Sequence, residues 1–267
     1  MITRIHHLNC GTMHLRGSFS GKVVPPRLVA HVLLVERPEG LVLVDTGFGT
    51  RNVAKPGKLG RPYLLSHRPA LELAETALRQ VEALGFTRED VRDVVLTHMD
   101  PDHTGGLADF PNARVHVDAT EHLAAEKPRT LMEKQRYLAD QWAHHPEWVL
   151  HGSGGDDWFG FEGVKGLGDD VLLVPLRGHT RGHSGVAVRR PEGGWLLHAG
   201  DSYFWNGEVA TPPTHSKGLV ALQKLMSTDE KTRQQNQQRL RELRTDHSDV
   251  TIFCSHDAAE FDRLAGS

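Results

Sequence analysis

A cluster of metal-binding side-chain types lies directly after an apolar run that predicts a buried strand, Val91–Thr97. The cluster contains two imidazoles and two carboxylates: His98, Asp100, Asp102 and His103. In an extended chain, side chains two positions apart point the same way, so the first three would face one side and His103 would turn toward them. Carboxylates brought this close repel each other, and a divalent cation reverses that repulsion. The cluster therefore predicts a metal site at the end of a strand.

The length and composition of the chain are those of an ordinary globular domain. Its 267 residues are near the upper size of one domain, so we expect residues 1–267 to form a single domain. Hydrophobic residues make up 38% and charged residues 24%, which is typical of globular proteins. The formal net charge of -3 favours neither nucleic acid nor an anionic membrane as a partner. We expect a small-molecule substrate, and a homodimer is possible.

Cysteine content and hydropathy indicate a cytoplasmic protein. Cys10 and Cys254 are too few for a disulfide framework, and we expect two reduced thiols, although one bridge is possible. No stretch reaches the ~18 apolar residues that a membrane span needs. The first residues, Met1–His7, lack the apolar core of a signal peptide and are predicted to form a first strand.

Strand and helix patterns alternate along the chain in two similar rounds. Apolar, valine-rich runs predict strands over residues 28–36, 41–45, 91–97, 113–117, 171–175, 185–189, 194–198 and 249–254. Periodicity and capping residues predict helices over residues 70–84, 119–145, 217–226, 230–244 and 257–265. The second of these is polar, exposed and broken at Pro128, and Ser227 with Glu230 forms a capping box for the fourth. We expect an α/β fold, a four-layer αβ/βα sandwich of two mixed sheets packed face to face.

Two segments are predicted to be loops that shape the substrate pocket. Residues 50–66 contain two prolines and two glycines, which favour turns over regular structure, and we expect residues 50–69 to shape the pocket. Residues 152–170 contain seven glycines and three aromatic side chains. This second pattern fits either an active-site loop or an ordinary surface connection.

The cluster resembles the His-x-His-x-Asp-His motif of the metallo-β-lactamase superfamily, and it departs from that motif where Asp100 replaces the second histidine. Other parts of the family pattern follow in order: Asp45 in Leu43–Gly47, His179 in Gly178–Ser184, Asp201 in Ala199–Asp201 and His256 in Ser255–Asp257. The matches span positions 45 to 257, which is nearly the whole chain. The resemblance implies a metal-dependent hydrolase.

The resemblance also implies a two-metal site. Its first metal would be held by His98, Asp100 and His179, and its second by Asp102, His103 and His256. Asp201 would bridge both beside a shared water or hydroxide, and each metal would keep an open position. We expect two zinc ions. A carboxylate at position 100 is harder than imidazole, so manganese or iron is also possible there, as is loss of one metal.

For the remaining residues near the motifs, the sequence predicts more than one role. Asp45 would orient a ligand or the loop, or be a simple strand-end turn residue, and His183 would be structural rather than a ligand. Tyr203 would donate a proton or polarise a substrate oxygen, or else be a buried packing residue; Phe204 occupies the position expected for the related tyrosine. His215 would lie on an exposed loop rather than line the pocket.

The chain looks most like the lactonase-type branch of the family, which implies hydrolysis of a small lactone such as an acyl-homoserine lactone. Hydroxide between the metals would attack the carbonyl, Asp102 or Asp201 would accept a proton, and Tyr203 or water would protonate the leaving alkoxide. The alternatives are a glyoxalase-II-like thioesterase, a β-lactamase, a di-iron redox enzyme suggested by Asp100, and a metal-binding module without catalysis.

Other catalytic signatures are absent from the sequence. Gly182–Gly185 lacks the G-x-S-x-G spacing of a serine nucleophile elbow. The chain contains neither a phosphate-binding loop of the G-x-x-x-x-G-K-[ST] type nor a dinucleotide fingerprint. Two cysteines cannot supply a cysteine-based zinc finger or an iron–sulfur cluster.

Overall fold

The structure, a computed structural model, describes residues 1–15 and 24–266, and in these residues the strands form two six-stranded sheets. The first sheet contains β1 (Arg4–Asn9), β2 (His31–Arg37), β3 (Gly40–Val44), β4 (Val91–Val95), β5 (Arg114–Asp118) and β6 (Glu147–His151). The second contains β7 (Asp156–Trp158), β8 (Phe161–Lys165), β9 (Val171–Pro175), β10 (Ser184–Arg189), β11 (Trp195–His198) and β12 (Val250–Phe253). In both sheets the spatial order follows the chain order.

Both sheets are mixed. In the first, β1, β2 and β3 pair antiparallel, whereas β3 to β6 pair parallel. In the second, β7 to β11 pair antiparallel and only β11 with β12 pairs parallel. Parallel neighbours require long connections, which here carry the helices.

Some of the helices cover the outer faces of the sheets, and others lie around the strand ends. Along the described chain the helices are α1 (Thr50–Ala54), α2 (Arg61–His67), α3 (Ala77–Ala83), α4 (Pro101–Thr104), α5 (Ala119–Glu126), α6 (Leu131–Arg136), α7 (Lys217–Met226), α8 (Glu230–Asp246) and α9 (Ala258–Ala265). Leu78 of α3 and Ala124 of α5 pack on the first sheet, and Leu240 of α8 packs on the second. Among the described residues, every helix is too short or too polar to reach across a lipid bilayer.

A central apolar layer joins the two sheets. Leu33 and Val35 of β2 point into this layer, where they meet Leu173 and Val186 of the second sheet. The intervening Leu34 points to the outer, helix-covered face. This alternation follows from the two-residue period of a strand, and burial on both faces explains the continuous apolar runs. The predicted four-layer sandwich is confirmed.

Some local predictions were wrong. Residues 50–66 form α1, a short 3-10 helix and most of α2 instead of a loop, and Pro62 in the first turn of α2 is a helix-start signal. Ser227 ends α7 rather than capping α8, whose first turn is capped by the Asp229 side chain. Residues 152–170 include the hairpin of β7 and β8 at the edge of the second sheet.

The predicted polar helix over residues 119–145 is divided. It consists of α5, α6 and a short 3-10 helix, and the polar side chains of Glu121 and Arg136 are buried. Periodicity cannot reveal such burial, because a buried charged side chain needs a partner that lies elsewhere in the chain. Cys10 and Cys254 are both buried free thiols, as predicted.

Candidate metal centre

The predicted ligands lie where strands of both sheets end on one side of the molecule. The parallel strands β3 and β4 are followed by Asp45 and His98, and the parallel strands β11 and β12 by Asp201 and His256. The loop between β9 and β10 adds His179. Because the carboxyl ends of neighbouring parallel strands open onto a shared crevice, residues far apart in sequence meet there.

A first group of buried side chains consists of His98, Asp100, His179 and Asp201. One ligand atom from each lies within 4.8 Å of every other. The Oδ2 atom of Asp100 lies 3.1 Å from Nε2 of His179 and 3.5 Å from Nε2 of His98. The group offers imidazole nitrogens and carboxylate oxygens to one cation.

A second buried group consists of Asp102, His103 and His256, whose ligand atoms also lie within 4.8 Å of one another. Helix α4 begins at Pro101, so Asp102 projects from a helical turn rather than from the extended chain that we predicted, whereas His103 lies in the element after the extended segment, as expected. The turn still directs both side chains toward His256, whose Nε2 lies 3.7 Å from Oδ2 of Asp102.

Asp201 lies between the two groups. Its Oδ2 atom is 3.4 Å from Nε2 of His179 in the first group and 3.2 Å from Nε2 of His256 in the second. Its Oδ1 atom is 3.4 Å from Nε2 of His103. A carboxylate in this position can contact cations in both groups.

The chemistry of the cluster fits divalent cations. Its buried atoms without a hydrogen-bond partner among the described residues include His98 Nε2, His103 Nε2 and Asp201 Oδ1. Burial would raise the pKa of Asp201, but the charges of His256 and His103 hold it well below its usual value. Burial would lower the pKa of His103, but Asp45 and Asp201 raise it well above its usual value. The carboxylates therefore attract positive charge, which metal cations would supply in place of protons.

Hydrogen bonds at Nδ1, the ring nitrogen that faces away from the cluster, orient two of the imidazoles. Nδ1 of His103 lies 2.8 Å from Oδ2 of Asp45, and Nδ1 of His256 donates to the Val29 carbonyl oxygen at 2.8 Å. In both rings Nε2 is left facing the cluster, as metal-binding histidines require. Asp45 thus orients a predicted ligand, which was one of the two roles expected for it.

His183 supports Asp201 and belongs to neither group of ligands, in agreement with its predicted structural role. Its Nε2 accepts a hydrogen bond from the Asp201 backbone N–H at 2.8 Å, and its Nδ1 donates to the Leu176 carbonyl oxygen at 2.8 Å. Gly200 has a φ of +54°, and a Cβ there would lie 2.5 Å from Nε2 of His183. Only glycine therefore allows this contact.

Glu121 joins the two loops that carry the first group of ligands. Its carboxylate accepts hydrogen bonds from the Met99 N–H at 3.0 Å, the Thr180 hydroxyl at 2.7 Å, the Gly182 N–H at 3.0 Å and the Tyr137 hydroxyl at 3.2 Å. Met99 and Thr180 each directly follow a predicted ligand in the chain. We did not predict this role, and a single glutamate on a polar helix carries no sequence signal for it.

An apolar pocket with a volume of about 470 Å³ opens onto the ligand cluster. Asp100, Asp102, Asp201 and His256 lie among its lining residues. The walls are mainly apolar and include Met13, Leu28, Leu59, Met132, Phe204 and Leu222. The expectation that residues 50–69 shape the pocket is correct, whereas none of the described residues in 152–170 lines it.

Tyr63 of α2 also lines the pocket, and we did not predict it. Its ring stacks on His67 with 4.2 Å between ring centroids. Burial, followed by the negative charges of Asp102 and Asp100, raises the pKa of Tyr63 well above its usual value. The phenol is therefore protonated at neutral pH and acts as a hydrogen-bond donor.

The catalytic role predicted for Tyr203 is corrected by its position. The Tyr203 side chain is fully buried, and its hydroxyl donates to the Glu260 carboxylate at 3.1 and 3.2 Å. Phe204, one residue on, lines the pocket instead. Of these two adjacent side chains, only that of Phe204 faces the site. His215 is exposed and lies away from the pocket, as expected.

Comparison with known proteins identifies the family. The family model described as the metallo-beta-lactamase superfamily matches residues 25–256. A probable metallo-hydrolase of Mycobacterium tuberculosis is 45% identical over 260 residues, which cover 95% of this chain and 80% of the relative. N-acyl homoserine lactonase AttM of Agrobacterium fabrum is 28% identical over 228 residues, which cover 84% of this chain and 80% of that protein.

A solved structure shows the same fold. It is that of an N-acyl homoserine lactone hydrolase with the product N-hexanoyl-L-homoserine bound at the catalytic metal center, with a TM-score of 0.72 and 20% sequence identity. The alignment covers 98% of this chain and 96% of that chain. The extent of the family match, together with the 45% identical relative, agrees with the motifs and with the two-sheet fold. The chain belongs to the metallo-β-lactamase superfamily.

Proposed function

We propose that this metallo-hydrolase cleaves the ester bond of a small lactone that carries an apolar tail. The observation that supports this most directly is the position of the predicted metal ligands at one end of an apolar pocket. An N-acyl homoserine lactone combines a polar ring with an acyl chain, so the ring would meet the ligand cluster while the chain lies against the apolar walls. The volume of about 470 Å³ is within the usual range for small-molecule sites.

The charges of the pocket favour a neutral substrate. Among its described lining residues, the two lysine or arginine side chains are already paired. Lys58 lies 3.2 Å from Asp140, and Arg136 lies 2.9 Å from Asp100. Neither of these two cationic side chains is left unpaired to bind a carboxylate of the substrate. This supports a lactone or simple ester over a thioester of an anionic carrier.

The ligand cluster would hold two divalent cations. In this proposal the first is bound by His98, Asp100 and His179, the second by Asp102, His103 and His256, and Asp201 contacts both. Bound cations would lower the pKa of a water molecule and polarise the substrate carbonyl. Zinc suits a cluster with four imidazoles, and the added carboxylate at position 100 also suits manganese or iron.

Residues of the pocket would handle the protons of the reaction. The Asp102 carboxylate lines the pocket, where it would accept a proton from the attacking water. Asp201 directs Oδ2 toward one histidine of each group, His179 and His256, and Oδ1 toward His103, so its carboxylate can contact cations in both groups. The protonated hydroxyl of Tyr63 would donate a hydrogen bond to the substrate oxygen that gains negative charge. Tyr63 would thus take the catalytic role that was one of the two predicted for Tyr203.

Metal analysis combined with a substrate panel tests the proposal. Protein purified without added metal is measured by elemental mass spectrometry, with His103→Ala as the control. We expect about two equivalents of zinc per chain, with a reduced amount in the variant. The panel contains lactones with tails of increasing length, matched simple esters and thioesters.

Each outcome of the metal analysis and the panel supports a different function for the site. Lactone turnover that improves with tail length supports the proposal. Turnover of thioesters alone favours the thioesterase alternative, and iron without any hydrolysis favours a redox enzyme. A protein that binds no metal, even after reconstitution, overturns the proposed metal site itself.

A further inference from the structure

The two oxygens of the Asp100 carboxylate contact different partners. Its Oδ1 atom lies 2.9 Å from Nε of Arg136, whereas its Oδ2 atom lies 3.1 Å from Nε2 of His179 and 3.5 Å from Nε2 of His98. Asp100 is 2% exposed, so neither oxygen relies on bulk water. One oxygen therefore faces the guanidinium and the other faces the first group of ligands.

Arg136 is held in place from several sides. It is the last residue of α6 and is 7% exposed. Its Nη1 donates to the His179 carbonyl oxygen at 3.0 Å, and its Nη2 donates to the Met226 carbonyl oxygen at 3.1 Å. A guanidinium fixed by two carbonyls in addition to Asp100 cannot turn away from the carboxylate without leaving buried donors unpaired.

The charge of Arg136 offsets the charge that Asp100 adds. A histidine at position 100, as in the family motif, would be a neutral ligand that binds through one nitrogen. Asp100 brings a negative charge and two oxygens, and a carboxylate free to use both oxygens suits larger cations with more ligands, such as manganese. Arg136 cancels that charge and occupies one oxygen.

We infer that Arg136 and Asp100 act as one unit in which the guanidinium makes the aspartate a neutralised, one-oxygen ligand and so preserves selectivity for zinc over manganese in the first group. Arg136 is a positioning residue in this unit. The inference rests on the proposed metal site and extends it to the selection of the metal. The unit would give position 100 a ligand that resembles the histidine of the family motif in its neutral charge and single binding atom.

Competitive metal uptake tests the inference without depending on activity. Apoprotein is dialysed against equal concentrations of zinc and manganese ions, and the metals bound per chain are measured by elemental mass spectrometry. We expect zinc to predominate in the wild type. In Arg136→Met we expect the ratio of bound manganese to zinc to rise about tenfold or more, because both oxygens of Asp100 become available. Electron paramagnetic resonance of the bound manganese checks its coordination.

Further variants distinguish an effect of the Arg136–Asp100 unit from a general loss of structure. The double variant Asp100→His/Arg136→Met replaces the unit with a neutral imidazole, and we expect its metal ratio to return to that of the wild type. Asp100→His alone leaves the Arg136 charge uncompensated beside the first group, and we expect it to lose one equivalent of zinc. This single variant keeps the buried arginine, so it tests the inference even if Arg136→Met does not fold.

Arg181→Met is the matched control. Arg181 is partly buried, and its Nε lies 2.9 Å from Oε1 of Glu133 on the same helix α6. Its removal disrupts an ion pair of α6 without touching Asp100, so we expect an unchanged metal ratio. Circular dichroism confirms the fold of every variant.

Three results would overturn the inference. One is an unchanged metal ratio in folded Arg136→Met, and another is undiminished zinc uptake in Asp100→His. The third is a wild type that binds a single equivalent which Asp100→Ala retains, since the first group would then be empty. A wild type that binds no metal overturns the proposed metal site as well. The other results leave the proposed hydrolysis of a lactone intact.

Discussion

The Asp45 carboxylate lies 2.8 Å from Nδ1 of His103, on the side of the ring that faces away from the ligand cluster. Asp45 also accepts hydrogen bonds from the Thr97 N–H and hydroxyl, both at 2.8 Å, and it has a φ of +60°, which is uncommon for residues other than glycine. Burial would raise the pKa of Asp45, but the charge and hydrogen bond of His103 hold it below its usual value. An anionic Asp45 keeps the proton of the ring on Nδ1 and leaves Nε2 for a metal.

Replacing Asp45 with asparagine should weaken the binding of one metal equivalent. We expect a loss of roughly 10- to 100-fold in affinity for that equivalent, because the amide removes the charge that favours the Nδ1–H tautomer. Titration against a competing chelator measures the loss. Asp93→Asn is the control, since Asp93 lies 3.0 Å from His116 in a similar pair outside the cluster. Equal effects of the two variants would contradict the prediction.

Replacing Glu121 with glutamine should destabilise the fold and the first group of ligands together. An amide offers one accepting oxygen, so some of the donors that meet the Glu121 carboxylate lose their partner. We expect the free energy of unfolding to fall by about 1–3 kcal/mol, and the first group to bind metal less tightly. Denaturant unfolding and chelator titration give the two quantities. Tyr137→Phe removes only one donor, and a loss as large as that in Glu121→Gln would argue against the proposed link between loops.

Removing the Tyr63 hydroxyl should slow the reaction, whereas removing that of Tyr203 should not. We expect Tyr63→Phe to lower kcat by about 100-fold with little change in KM, because the hydrogen bond strengthens as the substrate oxygen gains charge. Tyr203→Phe should lower only the stability, since its hydroxyl contacts Glu260 in the core. Steady-state kinetics on the best lactone of the panel compares the two. The opposite ranking would restore the role first assigned to Tyr203.

Glu260 should make the stability of the protein depend on pH. Burial, followed by the charge of Asp257, raises the pKa of Glu260 from 4.5 to about 7. Between these values the folded state retains a proton that the unfolded state releases, so the free energy of unfolding falls as pH rises through this window. The raised pKa corresponds to a total loss of about 3 kcal/mol.

Glu260→Gln cannot ionise, so it should be less sensitive to pH than the wild type. Denaturant unfolding near the two ends of the window measures the change in free energy for each protein. The difference between the two changes isolates the contribution of Glu260 from that of other titrating groups. The same change in both proteins would show that Glu260 ionises as freely in the folded state as in the unfolded state.

Local sequence was enough to predict most of the strands and most of the ligand positions, although β6, β7 and β8 were missed. Leu33 and Leu34 point to opposite faces of the sheet because side chains alternate along a strand. Since both are apolar, both faces of the sheet had to be covered by other parts of the chain. His98 and His103 belong to one short segment, so their proximity was evident without a fold. Asp201 and His256 were placed through the family resemblance, because the motif gives the order of ligands along the chain.

Tertiary structure alone decided which other side chains support the site. Arg136 meets the backbone of His179, 43 positions away, and Glu121 meets Thr180, 59 positions away. Tyr63 of α2 lines the pocket, whereas Tyr203, in the loop after β11, is buried in the core, and no local pattern distinguishes the two. Periodicity records which face of an element is buried, but the partner of a buried polar group depends on segments that only folding brings together.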